Sequence, residues 1–154
     1  VVIRRPFNSY GLRETQPYCI PEIIAQLSKS DVVCLGNIEA KRDFTYVEDI
    51  ARGAVAVLGS DIPDGEVVNL GSNKAYLIED LAHLIGKIMG HDHISIKIDK
   101  SRLRPLDVSF LQCDYSKARK LLRWEPEISI EEGLKRTVEW YIKNGKRWSW
   151  EKLL

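Results

Sequence analysis

Gly36-Asn37-Ile38-Glu39-Ala40-Lys41-Arg42-Asp43-Phe44-Thr45-Tyr46-Val47-Glu48-Asp49-Ile50 is the stretch from which the rest of the chain can be read. An apolar run, Val32 to Leu35, ends at Gly36, and a polar segment then carries Lys41 and Arg42 up to Phe44 and Tyr46 before helical spacing sets in. A guanidinium presents a flat fork of donors that matches phosphate oxygens. Aromatic rings beside it can cover a base, a sugar face or a neighbouring core. Thr45 and Glu48 stand three apart in front of an apolar run, the spacing of a capping box that opens a helix. The segment reads as an anion-holding loop fixed between a strand and a helix. The competing reading pairs Arg42 with Asp43 or a surface carboxylate and puts the rings in the core.

Upstream, Val1 to Ile3 has the composition of a strand covered on both faces in a parallel sheet. It delivers Arg4-Arg5-Pro6-Phe7-Asn8-Ser9-Tyr10-Gly11-Leu12-Arg13 at its carboxyl end, where open α/β sheets bind ligands. Asn8 can donate and accept there, or simply tie the turn together. Ile20, Ile23, Ile24 and Leu27 predict a helix over about Pro21 to Ser28.

Downstream, Val47, Ile50, Ala51, Ala54 and Leu58 predict one face of a second helix that Gly59 ends. Turn chemistry over Asp61 to Gly65 leads to a strand, Val67 to Leu70, and to Gly71-Ser72-Asn73. The three-glycine spacing that lets a pyrophosphate approach a helix start is absent from the chain. Leu77, Ile78, Leu81, Ala82, Ile85, Ile88 and Met89 predict a third helix stopped by Gly90, and Ile94, Ile96 and Ile98 alternate as in a strand with one solvated face. His91-Asp92-His93 between them has no third His or thiol adjoining it, so a helix-to-strand connection outweighs a metal site.

Arg102-Leu103-Arg104-Pro105-Leu106-Asp107 is a second loop of site-like chemistry, suited to a phosphate and a ribose diol, or else to a local Arg and Asp pair. Tyr115, Ala118, Leu121 and Leu122 predict a fourth helix. Ser129 and Glu132 predict a capping box for a fifth, running through Leu134, Val138 and Tyr141 to Asn144-Gly145. The mixed segment Lys146 to Lys152 is expected to pack against a missing part or a partner.

The 154 residues suffice for one domain with a core. A net charge of +1 gives no broad positive field and so does not imply nucleic acid, and no apolar run reaches the length of a membrane span. Cys19, Cys34 and Cys113 are odd in number and far apart, which suits buried thiols in a reducing cytoplasm better than disulfides or zinc. The start at Val1, already strand-like, reads as a piece of a longer protein, although removal of a tag or initiator also accounts for it.

Three motifs together resemble the carboxyl-terminal part of the NAD-dependent nucleotide-sugar epimerases and dehydratases, the extended short-chain dehydrogenase/reductase family. Arg5-Pro6-Phe7-Asn8-Ser9-Tyr10-Gly11 is similar to the family's Arg-x-Phe-Asn-x-Tyr-Gly segment. Arg42-Asp43-Phe44-Thr45-Tyr46-Val47-Glu48-Asp49 is similar to its Arg-Asp-aromatic-x-x-Val-x-Asp segment. Arg104-Pro105-Leu106-Asp107, Asp114 to Ala118 and Leu122-Arg123-Trp124-Glu125-Pro126 resemble the Arg-Pro-x-Asp, Asp-x-Ser-Lys-Ala and Leu-Gly-Trp-x-Pro string. Leu12 replaces a common Pro, and Arg123 replaces the usual Gly before Trp.

The resemblance implies an α/β fold, residues 1–154 forming a substrate-binding lobe with late strands of a Rossmann sheet. It implies that Asn8 contacts a nucleotide-diphosphate sugar near its diphosphate and that Arg42 and Arg104 hold that diphosphate. Asp107 would take the ribose hydroxyls, with Leu35 and Phe44 bordering base and ribose and Phe7 on the nicotinamide side of the cleft. No catalytic residue and no metal ligand is assigned. The family's glycine-rich cofactor loop and Tyr-x-x-x-Lys pair are not in this sequence. NAD or NADP is therefore expected in a full-length parent and not on this chain alone, which is expected to be inactive by itself. The wording around Gly36-Asn37 and Arg104 leans toward GDP-mannose and related 4,6-dehydratases, and the general pattern equally fits UDP-sugar 4-epimerases. A stand-alone, non-catalytic binding module is the alternative. The expected partners are the missing amino-terminal half and further copies of the chain, in the cytoplasm, with no membrane or nucleic acid.

Overall fold

The structure, a computed structural model, describes residues 1–14, 16–103, 105–144 and 148. In chain order the elements are β1 (Ile3–Pro6), β2 (Asn8–Tyr10), α1 (Cys19–Leu27), β3 (Val32–Leu35), β4 (Lys41–Tyr46), α2 (Val47–Leu58), β5 (Val67–Leu70), β6 (Ala75–Leu77), α3 (Ile78–Ile88), β7 (Ser95–Ile98), β8 (Phe110–Leu111), α4 (Ser116–Leu122) and α5 (Ile130–Lys143). A 3₁₀ turn covers Lys100–Arg102. Parallel pairing joins β1 to β5, β2 to β4, β4 to β8 and β3 to β7, so the chain is α/β as its sequence implies. The chain divides into two units: one holds Val1–Tyr10, Lys41–Tyr76 and Phe110–Ile130, the other Gly11–Ala40, Leu77–Ser109 and Glu131–Leu154.

The first unit is built around Ile50, Val68, Leu70, Ala118 and Trp124. Gly53 lets α2 come close: a Cβ there would stand 2.8 Å from Leu70 Cδ1 and 3.0 Å from Trp124 Nε1. This turns the helix away from the predicted face. Its buried positions are Asp49, Ile50 and Gly53, while Val47, Ala51 and Leu58 are exposed. Close approach at a glycine and the hydrogen bonding of Asp49 outweigh the apolar spacing. The indole Nε1 of Trp124 donates to the Asp49 carbonyl at 3.0 Å, and Tyr115 meets the indole edge-on at 5.9 Å.

Two further expectations fail in this unit. Lys41 to Tyr46 is a strand and not a loop, hydrogen-bonded to β2, β6 and β8. Thr45 therefore does not cap α2. It is buried in β4, its hydroxyl donates to Asp43 Oδ1 at 3.3 Å, and Tyr46 occupies the cap position with no side-chain cap bond. The first strand begins at Ile3, and its four residues are exposed instead of covered. Val1 and Ile3 are exposed, while Val2 between them packs against the core of the unit, and β1 has β5 as its strand neighbour among the described residues.

Arg123 closes α4 in the left-handed region, φ 52° and ψ 30°. An L residue with a Cβ is disfavoured there by about 1–2 kcal/mol. Glycine relieves that strain but widens the unfolded ensemble. Arg123→Gly is therefore expected to stabilise the protein by about 0.5 kcal/mol, read as a higher urea midpoint; a lower midpoint would contradict the backbone argument.

In the second unit, Ile20, Ile23, Ile24 and Leu27 of α1 and Ile78, Leu81, Ala82 and Ile85 of α3 are buried, as their spacing predicts. The Gln26 amide clasps the margin of β3, accepting from the Cys34 N–H at 2.6 Å and donating to the Cys34 carbonyl at 3.2 Å. Trp148 is fully buried in this unit, its Nε1 donating to the Pro21 carbonyl at 3.1 Å and its ring 5.0 Å from that of Tyr141. That corrects its assignment to an outside partner; Lys146, Arg147 and residues 149–152 of the same segment lie outside the described residues.

None of the three cysteines forms a disulfide among the described residues: Cys113 is buried, Cys19 and Cys34 half-buried. Burial first, then the carboxylates of Asp43 and Asp114, push the Cys113 thiol up to about 12. No described helix is long and apolar enough to cross a membrane.

Candidate functional site

In the first unit, β4 alternates its side chains between two faces, as a strand must. Asp43 and Thr45 are buried, with 0% and 2% exposure. The Asp43 carboxylate collects hydrogen bonds from three segments. Oδ1 accepts from the Ser72 N–H and hydroxyl, both at 2.8 Å, and from Thr45, while Oδ2 accepts from the Cys113 N–H at 3.0 Å. Arg42 is half-buried, and its Nη1 donates to the Lys41 carbonyl at 2.9 Å. Asp43 is thus engaged with Ser72, Thr45 and Cys113.

Asn8 on β2 stands opposite Phe44 in register, and its Nδ2 donates to the Asp43 carbonyl at 3.1 Å. Phe44 is buried against Tyr10, their rings edge-on at 6.4 Å. Phe7 lies between β1 and β2, where its N–H donates to the Leu70 carbonyl at 2.9 Å. Asn8, Arg42 and Phe44 therefore stand on the paired strands β2 and β4 of one unit, with Phe7 immediately before β2.

The second unit assembles the other predicted residues. Leu35 ends β3, buried, and its carbonyl accepts from the Asp99 N–H at 2.8 Å. A Cβ on Gly36 would meet the Arg102 carbonyl oxygen at 2.8 Å, so only glycine admits this approach of two backbones. Asn37 Nδ2 donates to Asp107 Oδ2 at 2.9 Å, which joins loops separated by 70 residues. Arg102 is an anchor: its guanidinium lies 3.0 Å from Glu22 and 3.3 Å from Asp99, and hydrogen bonding to Glu22 raises its pKa above the usual arginine value. Arg104, predicted to hold the diphosphate, lies outside the described residues.

Two carboxylates and an amide were not foreseen. Asp43 could have been found from strand alternation, which sets it opposite Arg42 and Phe44. Asp49, 1% exposed, accepts from Arg52 at 2.5 Å and from the N–H groups of Glu127 and Ile128 at 3.2 and 3.0 Å. Those partners lie far along the chain, beyond local pattern. Asn37 carries only the hint of following a strand-ending glycine.

A dinucleotide pyrophosphate seeks glycines and open N–H groups at a helix start. Four of the five described helices begin otherwise, with Glu22 in the first turn of α1, Glu48 and Asp49 in α2, Glu79 and Asp80 in α3, and Glu131 and Glu132 in α5; α4 has no acidic residue in its first turn, but its Ser116 N–H donates to Asp114 Oδ1 at 2.8 Å. Those carboxylates already complement the helix dipoles. The residues present do not by themselves fit the pyrophosphate of NAD. Among the described residues no group of three or more His, Cys, Asp or Glu is placed to hold a metal ion, and His91 Nδ1 pairs with Asp31.

Residues 1–137 match the family model described as GDP-mannose 4,6 dehydratase. The chain is 48% identical over 151 residues to UDP-glucuronate 4-epimerase of Thermodesulfobacterium geofontis, a match covering 94% of this chain and 44% of that protein. Among solved structures, UDP-glucuronic acid 4-epimerase from Bacillus cereus in complex with UDP-glucuronic acid and NAD aligns with a TM-score of 0.83 and 31% identity, over 93% of this chain and 45% of that one. dTDP-glucose 4,6-dehydratase from Bacillus anthracis in complex with NAD aligns with a TM-score of 0.85 and 26% identity, over 96% and 46%. The chain thus spans less than half the length of these relatives. With ordered motifs, a family model over most of its length and the same fold, it belongs to the NAD-dependent nucleotide-sugar epimerases and dehydratases of the extended short-chain dehydrogenase/reductase family.

Proposed function

We propose that residues 1–154 are the nucleotide-diphosphate-sugar-binding portion of an NAD-dependent epimerase or dehydratase. The observation that carries this reading is the Asn37–Asp107 hydrogen bond at the end of β3, which brings the predicted ribose acceptor beside Leu35 from a distant part of the sequence. Asp107 offers a charged acceptor to sugar hydroxyls, and Arg42 and Arg104 offer donors to a diphosphate. Phe44 in the first unit and Leu35 in the second are both buried apolar side chains. Phe7 borders the cofactor side of the cleft in the whole enzyme.

In that enzyme the cofactor supplies hydride acceptance. This chain's residues contribute position: they hold the nucleotide so that the sugar reaches groups encoded elsewhere. The chain alone carries no Tyr-x-x-x-Lys pair for the proton and is inactive in isolation. The identity to a UDP-glucuronate epimerase makes UDP-glucuronate the first ligand to try.

Calorimetric titration of the chain with UDP-glucuronate, UDP-glucose, GDP-mannose and dTDP-glucose tests the proposal. Binding of at least one ligand is expected with Kd on the order of 10 μM to 1 mM, about −4 to −7 kcal/mol. Absence of binding by all four at millimolar concentration overturns it.

A further inference from the structure

We propose that Asn37 is a positioning residue that makes this site select ribonucleoside over 2′-deoxyribonucleoside diphosphates. This deepens the reading above and rests on Asp107 as the ribose acceptor.

The side-chain amide of Asn37 is fixed at both ends. Its Oδ1 accepts from the Glu39 N–H at 3.1 Å, and a backbone N–H can only donate. The other end, which meets Asp107 Oδ2 at 2.9 Å, is therefore the NH₂ group, a donor. A carboxylate so held is acceptor-only and has a fixed plane. It suits a neighbouring pair of hydroxyls, both donors, and it suits a sugar lacking the 2′-hydroxyl less well.

The surrounding frame does not depend on this bond. Gly36 lies against the Arg102 backbone, and the Leu35 carbonyl accepts from the Asp99 N–H. The Arg102 guanidinium is clamped by Glu22 and Asp99. Asn37 is half-buried and Asp107 exposed, so removing the amide loosens the carboxylate without opening the core. Hydrogen bonds to charged groups, partly open to solvent, set the scale of discrimination at about tenfold.

The test compares UDP with 2′-deoxy-UDP, which share base and diphosphate, by calorimetry on the full chain. The parent chain is expected to prefer UDP about tenfold. Asn37→Ala is expected to bring the two affinities within about twofold, with an unchanged urea midpoint. Asn37→Asp, the same size but an acceptor facing Asp107, is expected to lose the preference as well. General loosening of the site would weaken both nucleotides alike, so the ratio separates positioning from a structural role. Equal affinities in the parent chain, or an undiminished ratio in Asn37→Ala, overturn this inference while leaving nucleotide binding intact. A parent chain that binds neither nucleotide overturns the binding reading and this inference with it.

Discussion

Asp43→Ala is expected to destabilise the protein by about 4 kcal/mol, because one carboxylate serves four donors in a place closed to water. Removing it strands the N–H groups of Ser72 and Cys113 and the buried hydroxyl of Thr45, while the Ser72 hydroxyl keeps the Lys74 carbonyl at 3.2 Å as an acceptor. Hydrogen bonds to a charged partner contribute about 1.5–3 kcal/mol each, and an orphaned buried donor costs a further part of its desolvation. Asp43→Asn keeps the shape but presents an NH₂ to a backbone N–H on one side, so about half of the loss is expected. Urea unfolding followed by the fluorescence of buried Trp124 provides the measurement. A loss below about 1 kcal/mol for the alanine variant would show that the three segments are held together by something else.

Gly71→Ala is the second large effect, about 3 kcal/mol or more, and its cause is steric. An added Cβ would stand 2.3 Å from Cys113 Cβ, 2.6 Å from its sulfur and 3.3 Å from Phe7 Cβ. Cys113 cannot retreat easily, since its N–H is bound to Asp43 and its side chain is buried. The same crowding that desolvates the thiol leaves no room for a methyl group. Combining Gly71→Ala with Cys113→Gly should recover part of the loss. Combining it with Cys113→Ala should not, because the Cβ contact persists. Equal urea midpoints for Gly71→Ala and the parent chain would refute the clash.

The parts of the fold legible in the sequence are those whose signal is local. Helices α1 and α3 follow from isoleucine and leucine spacing, and β5 and β7 from short β-branched runs. What was misread depends on partners far away. Residues 41–46 look like a polar loop because nothing nearby announces β2, β6 and β8, which supply their hydrogen bonds. Thr45 and Glu48 have the spacing of a cap, yet a strand that runs to Tyr46 turns Thr45 inward to Asp43. The face of α2 was misassigned because an acidic residue, Asp49, is buried and a glycine, Gly53, replaces an apolar contact by proximity.

The candidate site divides along the same line. Asn8, Arg42 and Phe44, expected from motif order, stand on the paired strands β2 and β4, with Phe7 immediately before β2. Leu35 and Asp107 are linked through Asn37, whose sequence context carries little signal. Within the motif Arg42-Asp43-Phe44, neighbours do different work. Arg42 and Phe44 are the proposed ligand-side positions, and Asp43 holds the architecture, a division that only the period of two along a strand can express.

The acidic first turns of α1, α2, α3 and α5 have a bearing on the history of such a protein. With the dipoles of these four helices already answered by glutamate and aspartate, long basic side chains are the proposed means of meeting a ligand's negative charge. Such side chains can be exchanged one codon at a time while the carboxylate struts beneath stay as they are.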